Sequence, residues 1–136
     1  MNELIELIRS CDNFASMEPA ESLAIEKAEQ ILGVTFAEDY AEYLKAFGVA
    51  TFDGHEMTGI CKSDRLYVVS STNKARSFYP LFPKSMYVVE ELQYDHVLVV
   101  QDSSGAVYYY GPKDEATLIS DSLQAYFFAD KKYKKD

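Results

Sequence analysis

The sequence predicts one α+β domain over residues 1–136, with a largely antiparallel sheet of about five to six strands flanked by N-terminal helices and a C-terminal helix. Three observations favour this class. Apolar residues recur at helical spacing up to residue 48, strand-like runs separated by turn residues follow, and a last helical pattern closes the chain. Because the connections between consecutive strands are short, we expect antiparallel pairing.

Two helices are expected before residue 34. The first covers residues 2–10, where Leu4, Ile5, Leu7 and Ile8 have the spacing of a short amphipathic helix. The second is expected to begin at Pro19, because a first turn does not need the missing N–H. Its apolar stripe consists of Ile25, Ala28, Ile31 and Leu32. Gly33 is expected to end this helix by accepting a positive φ.

A third helix is expected from residue 38 to residue 47. Glu38 and Asp39 would lie in its first turn, where the positive end of the helix dipole favours acids. Apolar residues then recur at i, i+3, i+4 and i+7, as Tyr40, Tyr43, Leu44 and Phe47. We expect this face to be buried, with Glu38, Glu42 and Lys45 pointing outward and Gly48 ending the helix.

The pattern changes to strands after residue 49. Asp53-Gly54 is a strong hairpin signal between strands at 50–52 and 55–60. Further strands are expected at 66–70, 86–92, 97–102, 106–111 and 117–119, with a long loop over 71–83. Asp121 is expected to cap a C-terminal helix that carries Leu123, Tyr126 and Phe127 on one face. We expect the basic tail at 131–136 to fray.

The net charge of −9 results from 13 basic and 22 acidic residues. Acids dominate residues 1–60 and 91–130, whereas residues 61–90 carry an excess of bases. An acidic protein repels nucleic acids and anionic membranes and attracts basic proteins. We therefore expect a basic protein partner, no direct binding of nucleic acid and no membrane association. The alternative is that the charge only maintains solubility.

Two single cysteines and an acidic N-terminus indicate a cytoplasmic protein. Cys11 and Cys61 are too few and too far apart to predict a disulfide framework or a zinc site, so we expect both to be reduced. The N-terminus lacks the basic region of a secretion signal. The longest aliphatic run, residues 97–100, is too short to cross a bilayer.

The sequence carries no recognisable catalytic motif. His55 and His96 each lie beside an acid, but neither has a predicted orienting partner, so we interpret both as ordinary surface or edge histidines. Glu90 and Glu91 are neighbours in a predicted strand and would point to opposite faces. Nucleophile, nucleotide-binding and metal-ligand spacings are absent, so we expect no enzyme activity, cofactor or metal.

Tyrosines and acids in the predicted strands are the candidates for partner binding. Tyr108 and Tyr110 would share one face of a strand and Tyr109 the other. Exposed tyrosine beside acids is typical of interface hot spots, although core and rim packing of a sheet is the more common role of aromatic residues in strands. The candidate anchors are Tyr94, Tyr108 and Tyr110, and the candidate steering acids are Glu38, Glu42, Asp53, Glu56, Glu91 and Asp95. The basic residues Lys62, Arg65, Lys74, Arg76 and Lys84 are interpreted as a solvated loop region.

The spacing Glu29-x-x-Leu32-Gly33, followed by Glu38-Asp39-Tyr40-x-x-Tyr43-Leu44, resembles the signature of the SUKH superfamily. The similarity extends over about residues 23–128, with Ala37 at a position where the superfamily usually has proline. This superfamily includes fungal cell-wall-assembly regulators and many bacterial immunity proteins.

The resemblance implies an α+β fold without fixed catalytic residues. It further implies a cytoplasmic immunity protein that binds and blocks a cognate toxin, often a nuclease. The alternatives that stay open are an intracellular scaffold or regulatory module of the fungal type, and a small enzyme that uses His55 or His96.

Overall fold

Five α-helices and seven β-strands form the regular structure of the residues that this computed structural model describes, 3–92 and 97–128. The helices are α1 (Glu3–Arg9), α2 (Ser22–Leu32), α3 (Glu38–Phe47), α4 (Val68–Phe78) and α5 (Leu123–Phe128). The strands are β1 (Ala15–Ser16), β2 (Ala50–Phe52), β3 (His55–Glu56), β4 (Tyr87–Glu91), β5 (Leu98–Gln101), β6 (Val107–Tyr110) and β7 (Ala116–Ser120). The predicted α+β class is confirmed. None of these helices is long and apolar enough to cross a membrane.

The strands form two antiparallel sheets, β1–β2–β3 and β4–β5–β6–β7. The sheets meet where the chain leaves β3. Met57 forms an isolated antiparallel bridge with Glu90 of β4, and the N–H of Thr58 donates to the carbonyl of Val89 at 2.8 Å. The small sheet is therefore held against the first strand of the large one.

The buried face of α3 lies at the centre of the larger core. Tyr40, Tyr43 and Leu44 are fully buried and Phe47 is 1% exposed, as the helical spacing predicts. They share a cluster with Ile25, Ala28 and Leu32 of α2 and with Tyr87, Val89, Val99 and Val107 on one face of the large sheet. A second cluster covers the opposite face, where Val88, Val100 and Tyr110 pack against Ala75 of α4, Tyr79 and Phe82.

The strand predicted at 66–70 is wrong, and so is the loop predicted at 71–83 up to residue 78, because α4 occupies Val68–Phe78. The β-branched pair Val68-Val69 favours a strand by local propensity. However, Val68, Thr72 and Ala75 are buried at i, i+4 and i+7, the spacing of a helix face. The Thr72 hydroxyl accepts the N–H of Val88 at 3.0 Å, which anchors α4 on β4.

Three smaller predictions about helix ends and faces are also wrong. The helix α2 begins at Ser22, because the N–H of Ala20, directly after Pro19, donates instead to the carbonyl of Leu44. Ile31 is 49% exposed on the outer face of α2. The first turn of α5 is capped by the hydroxyl of Ser122, which accepts the N–H of Ala125, rather than by Asp121.

Two glycines allow the chain to pass closely over itself beside the sheet junction. A Cβ on Gly59 would lie 1.8 Å from the carbonyl oxygen of Gly48. Gly48 itself has φ 68°, and a Cβ there would lie 2.1 Å from the carbonyl oxygen of Glu18. No side chain fits at either position. The segment after α3 and the segment after β3 can therefore approach each other this closely only because both positions are glycine.

Replacing Leu44 with alanine is expected to lower the free energy of unfolding by about 2–5 kcal/mol, because a fully buried leucine is lost from a packed core. Urea denaturation of the purified variant measures this change. The matched control is Lys45→Ala on the exposed face of α3, where we expect a change within about 0.5 kcal/mol. Equal effects at the two positions would contradict the buried-face assignment.

Replacing Tyr43 with phenylalanine is expected to cost about 1–3 kcal/mol, although the ring remains. Its hydroxyl donates to the carbonyl of Thr58 at 3.0 Å and accepts the N–H of Ala50 at 2.9 Å, and all three groups are buried. Both backbone groups lose their partner in the variant. Tyr109→Phe is the control, because Tyr109 is 38% exposed. A loss in the control as large as that at Tyr43 would refute the assignment.

Candidate functional site

An open cleft of about 810 Å³ lies between the β2–β3 hairpin and the end of β4. We name it the acidic cleft. The side chains that carry its chemistry are those of His55, Glu56, Arg65, Glu90 and Glu91. Phe52 and Leu92 contribute apolar surface. The cleft therefore brings carboxylates, a histidine and apolar walls together at one open surface.

The hairpin that positions His55 is the one that the sequence predicts. Asp53 and Gly54 both have positive φ values, 50° and 85°, and Phe52 pairs directly with His55. Two consecutive positive φ values are the conformation of a tight two-residue hairpin turn, which Asp-Gly favours. His55 therefore follows the turn directly, at the edge of the cleft.

His55 is oriented by a buried carboxylate from the other sheet. Its Nδ1 lies 2.8 Å from Oε2 of Glu90, and Glu90 is 4% exposed. The hydroxyl of Tyr126 on α5 donates to Oε1 of the same carboxylate at 3.0 Å. The imidazole packs edge-on against the ring of Phe127, with centroids 4.8 Å apart. The interpretation of His55 as an ordinary edge histidine without an oriented partner is therefore wrong.

The Glu90 carboxylate determines what His55 can do. A carboxylate only accepts hydrogen bonds, so the proton of the neutral ring belongs on Nδ1, and Nε2 becomes an acceptor. Within the part of the chain that the structure describes, Nε2 has no hydrogen-bonding partner. Such a pair resembles the orienter and base of hydrolases, but no hydroxyl or thiol of the described residues bonds to Nε2. The arrangement leaves Nε2 of His55 able to accept a hydrogen bond from a donor on another molecule.

Glu56 and Arg65 form an ion pair at the rim of the cleft. The guanidinium donates to both carboxylate oxygens, at 2.7 and 3.2 Å. These hydrogen bonds lower the pKa of Glu56 and raise that of Arg65. Both side chains are largely solvent-exposed, so the pair adds little stability. Glu91 approaches a cation only weakly, with an oxygen 4.0 Å from Nζ of Lys74.

Glu90 and Glu91 both line the cleft, contrary to the expectation that strand neighbours cannot share a site. The pairing of β4 with β5 is irregular between Val88 and Glu90, and Glu91 is the last residue of β4. Because the cleft lies across this strand end, carboxylates from both faces of the strand can border it. Across residues 3–92 and 97–128, no group of three or more His, Cys, Asp or Glu side chains could hold a metal ion.

The predicted partner-binding acids are distributed over several surfaces. Glu56 and Glu91 line the cleft, and Asp53 belongs to the turn beside it. Glu38 and Glu42 lie on α3 and do not line the cleft. Two further candidates for partner binding, Tyr94 and Asp95, lie outside the described residues, as does His96.

The prediction that Tyr110 is an exposed anchor is wrong. It is 1% exposed, packs against Tyr79 and Phe82, and its hydroxyl donates to Asp114. Tyr110 is buried because α4 and the segment after it cover the face of the sheet on which it lies. Tyr108 is half-buried and donates to Asp102 at 3.0 Å, and this hydrogen bond raises the pKa of Tyr108.

The basic residues of the 61–90 segment do not form a solvated loop. Arg76 lies on α4, and its Nη2 donates to the carbonyls of Leu32 at 2.8 Å and Lys84 at 3.1 Å. It therefore ties the end of α2 to the segment before β4. Arg65 is engaged in its ion pair with Glu56, and the exposed lysines of this group are Lys62, Lys74 and Lys84.

Sequence patterns alone did not identify Glu90 and Tyr126 as partners of His55. The partners lie 35 and 71 positions further along the chain, and no local spacing connects them. One signal was available. Glu90 follows Tyr87-Val88-Val89, and a carboxylate in a buried strand requires hydrogen-bond donors.

The tautomer of His55 is expected to depend on Glu90. In the unmodified protein, ¹⁵N NMR of the neutral His55 ring is expected to show the proton on Nδ1. In Glu90→Met the acceptor is lost, and the Nε2–H form is expected to increase. Glu91→Met is the matched control and should leave the tautomer unchanged. An unmodified protein with the proton on Nε2 would mean that His55 accepts rather than donates.

A family model described as SMI1-KNR4 cell-wall (SUKH_5) matches residues 1–130. No curated protein matches the chain. The family match covers both described ranges and confirms the resemblance that the Glu29-x-x-Leu32-Gly33 spacing indicates.

Proposed function

Because the chain belongs to the SMI1-KNR4 cell-wall family, whose domains serve as immunity or SMI1-like interaction modules, we propose that it binds and neutralises a basic protein toxin in the cytoplasm. The acidic cleft is the proposed contact site. The observation that supports this choice most directly is the His55–Glu90 pair, which places an oriented acceptor and a buried carboxylate at an open surface.

The charges of the cleft favour a basic partner. Glu56, Glu90 and Glu91 line it together with one cation, Arg65. An entering arginine or lysine would meet Nε2 of His55 and the carboxylate of Glu91, both of which accept hydrogen bonds. The charge of −9 on the whole chain would increase the rate of encounter with such a partner.

A nuclease is the class of toxin that fits this chemistry. An enzyme that grips a phosphate backbone needs a basic surface, and an acidic protein can occupy that surface in place of the nucleic acid. Inhibition would then be stoichiometric and would need no catalytic step by this chain. Of the predicted anchors, Tyr108 keeps a partly accessible ring, and Tyr94 and Asp95 remain predictions.

Two other functions stay as alternatives. An intracellular scaffold or regulator of the fungal type would also use a protein-binding surface, but it would not depend on one toxin. A small enzyme is favoured by a single observation, the orientation of His55 by Glu90. A hydrolytic activity that disappears in His55→Ala, measured against a panel of ester and phosphodiester substrates, would support the enzyme.

Co-expression with the toxin encoded beside this gene is expected to protect cells, and the purified proteins are expected to form a one-to-one complex. Titrations at roughly 50 and 500 mM salt should show weaker binding at high salt, because salt screens the attraction between the acidic protein and its basic partner. If cells are not protected and no complex forms at either salt concentration, the immunity function fails and the scaffold replaces it.

Variants of the cleft locate the contact. His55→Ala and Glu91→Gln are expected to weaken the complex, and a true hot spot costs at least about 2 kcal/mol of binding free energy. Glu26→Gln, an exposed acid on α2, removes the same charge elsewhere and is the control. We expect the control to alter mainly the association rate. Equal losses in all three variants would mean that only net charge matters and that the cleft is not the site.

A further inference from the structure

The edge strand β7 is uncovered on its outer side over its first half. It closes the four-stranded sheet and pairs with β6 alone. Ala116, Thr117 and Leu118 are exposed, and Leu118 is 59% accessible. Proteins usually protect such edges with lysine, proline or an inward-pointing charge. Residues 116–120 contain none of these, and the irregularity in the β6–β7 pairing affects only its far end, between Leu118 and Ser120.

The hydrogen bonding of the β6–β7 hairpin shows which backbone groups face outward. The N–H of Gly111 donates to the carbonyl of Glu115 at 3.2 Å, so the backbone N–H and C=O of Glu115 point toward β6. The backbone groups of successive residues in a strand point alternately to its two edges. Those of Thr117, which pairs with Tyr109, therefore also point toward β6. The N–H and C=O groups of Ala116 and Leu118 therefore point away from the sheet. They are positioned to pair with a further strand.

Charges at both ends of β7 discriminate between occupants. Glu115 and Asp121 are exposed and flank the uncharged strand. A second copy of this chain, paired antiparallel about Leu118, would place each Glu115 opposite an Asp121, and like charges directly opposite each other are destabilising. A strand with basic residues at its ends meets complementary charges instead. Lys113 lies two residues before Glu115, and its charge is offset by Asp114.

Side chains on β7 add a preference for the middle of the occupant. Leu118 lies beside Tyr108 of β6 on the same face of the sheet. A strand placed next to β7 would extend this row, and an apolar or β-branched side chain opposite Leu118 would bury part of its exposed surface.

We propose that β7 accepts an extended segment of a protein partner as a fifth strand, with a β-branched or apolar centre and lysine or arginine at both ends. The choice of a basic partner rests on the proposed function, because it is the same charge preference applied to a second surface. The backbone pairing at β7 is separate from the acidic cleft and does not involve His55 or Glu90.

A synthetic peptide of five alternating threonine and valine residues, with two lysines at each end, is the probe. NMR titration is expected to shift the amide signals of Ala116 and Leu118 and to slow their hydrogen exchange at least about tenfold. A peptide with glutamates in place of the lysines should bind at least about tenfold more weakly. No change at these two amides with millimolar lysine peptide would overturn the proposal.

Two kinds of variant test the backbone pairing and the charges separately. Leu118→Pro removes an outward N–H without removing a bond to β6, and should weaken peptide binding at least about tenfold, whereas Leu118→Val should bind within about twofold. Glu115→Lys combined with Asp121→Lys should reverse the preference in favour of the glutamate peptide. Unchanged preference in the charge-reversed variant would overturn the proposal even if Leu118→Pro does not fold.

The outcomes also separate this proposal from the toxin function. A toxin complex that forms normally while the peptide does not bind would refute the β7 proposal alone. A protein that dimerises in analytical ultracentrifugation, with the amides of Ala116 and Leu118 protected before peptide is added, would show that a second copy occupies the edge, which overturns the proposal.

Discussion

Thr58 connects the two sheets and α3 through its hydrogen bonds, and their arrangement depends on it. Its N–H donates to the carbonyl of Val89 at 2.8 Å and its hydroxyl donates to the carbonyl of Val88 at 2.7 Å. Its own carbonyl accepts the hydroxyl of Tyr43. Because the single hydroxyl proton of Thr58 is used on Val88, Tyr40 must be the donor in their 2.8 Å contact. Burial raises the pKa of Tyr40 and Tyr43, so both phenols stay protonated and keep donating.

The geometry of the candidate site depends on these contacts of Thr58 and of its neighbour Met57. Met57, the residue before Thr58, bridges Glu90, and this contact brings β3 beside the end of β4. Only then can the carboxylate of Glu90 reach His55, which comes from the other sheet. A buried carboxylate costs free energy unless donors satisfy it, and His55 and Tyr126 supply those donors. The chemistry of the cleft and the packing of the core are therefore coupled through two adjacent residues.

The sequence predicted the structure correctly where local spacing or turn preference agrees with the tertiary packing. Tyr40 and Leu44 are buried as their helical spacing predicts, and Asp53-Gly54 forms the expected turn. The sequence did not predict the structure where tertiary packing overrides the local strand propensity, as at Val68-Val69 in α4. Partners far apart in sequence could not be paired either. Tyr110 became a core residue because α4 covers its face, and the Glu90–His55 contact joins two sheets whose junction no local pattern specifies.

The acids of the cleft differ in how they can act on a partner, and the difference lies in burial. Glu56 is accessible but already bonded to Arg65, so a partner's cation must compete for it. Glu91 is more available, because the nearest cation, Nζ of Lys74, lies 4.0 Å away, so a docked cation of the partner can bond to it directly. Glu90 is buried and acts through His55, so its influence requires close docking and would appear in the dissociation rate. A partner that only senses net charge would distinguish none of these residues, whereas one that inserts a donor against Nε2 of His55 would depend on the whole arrangement that Thr58 holds together.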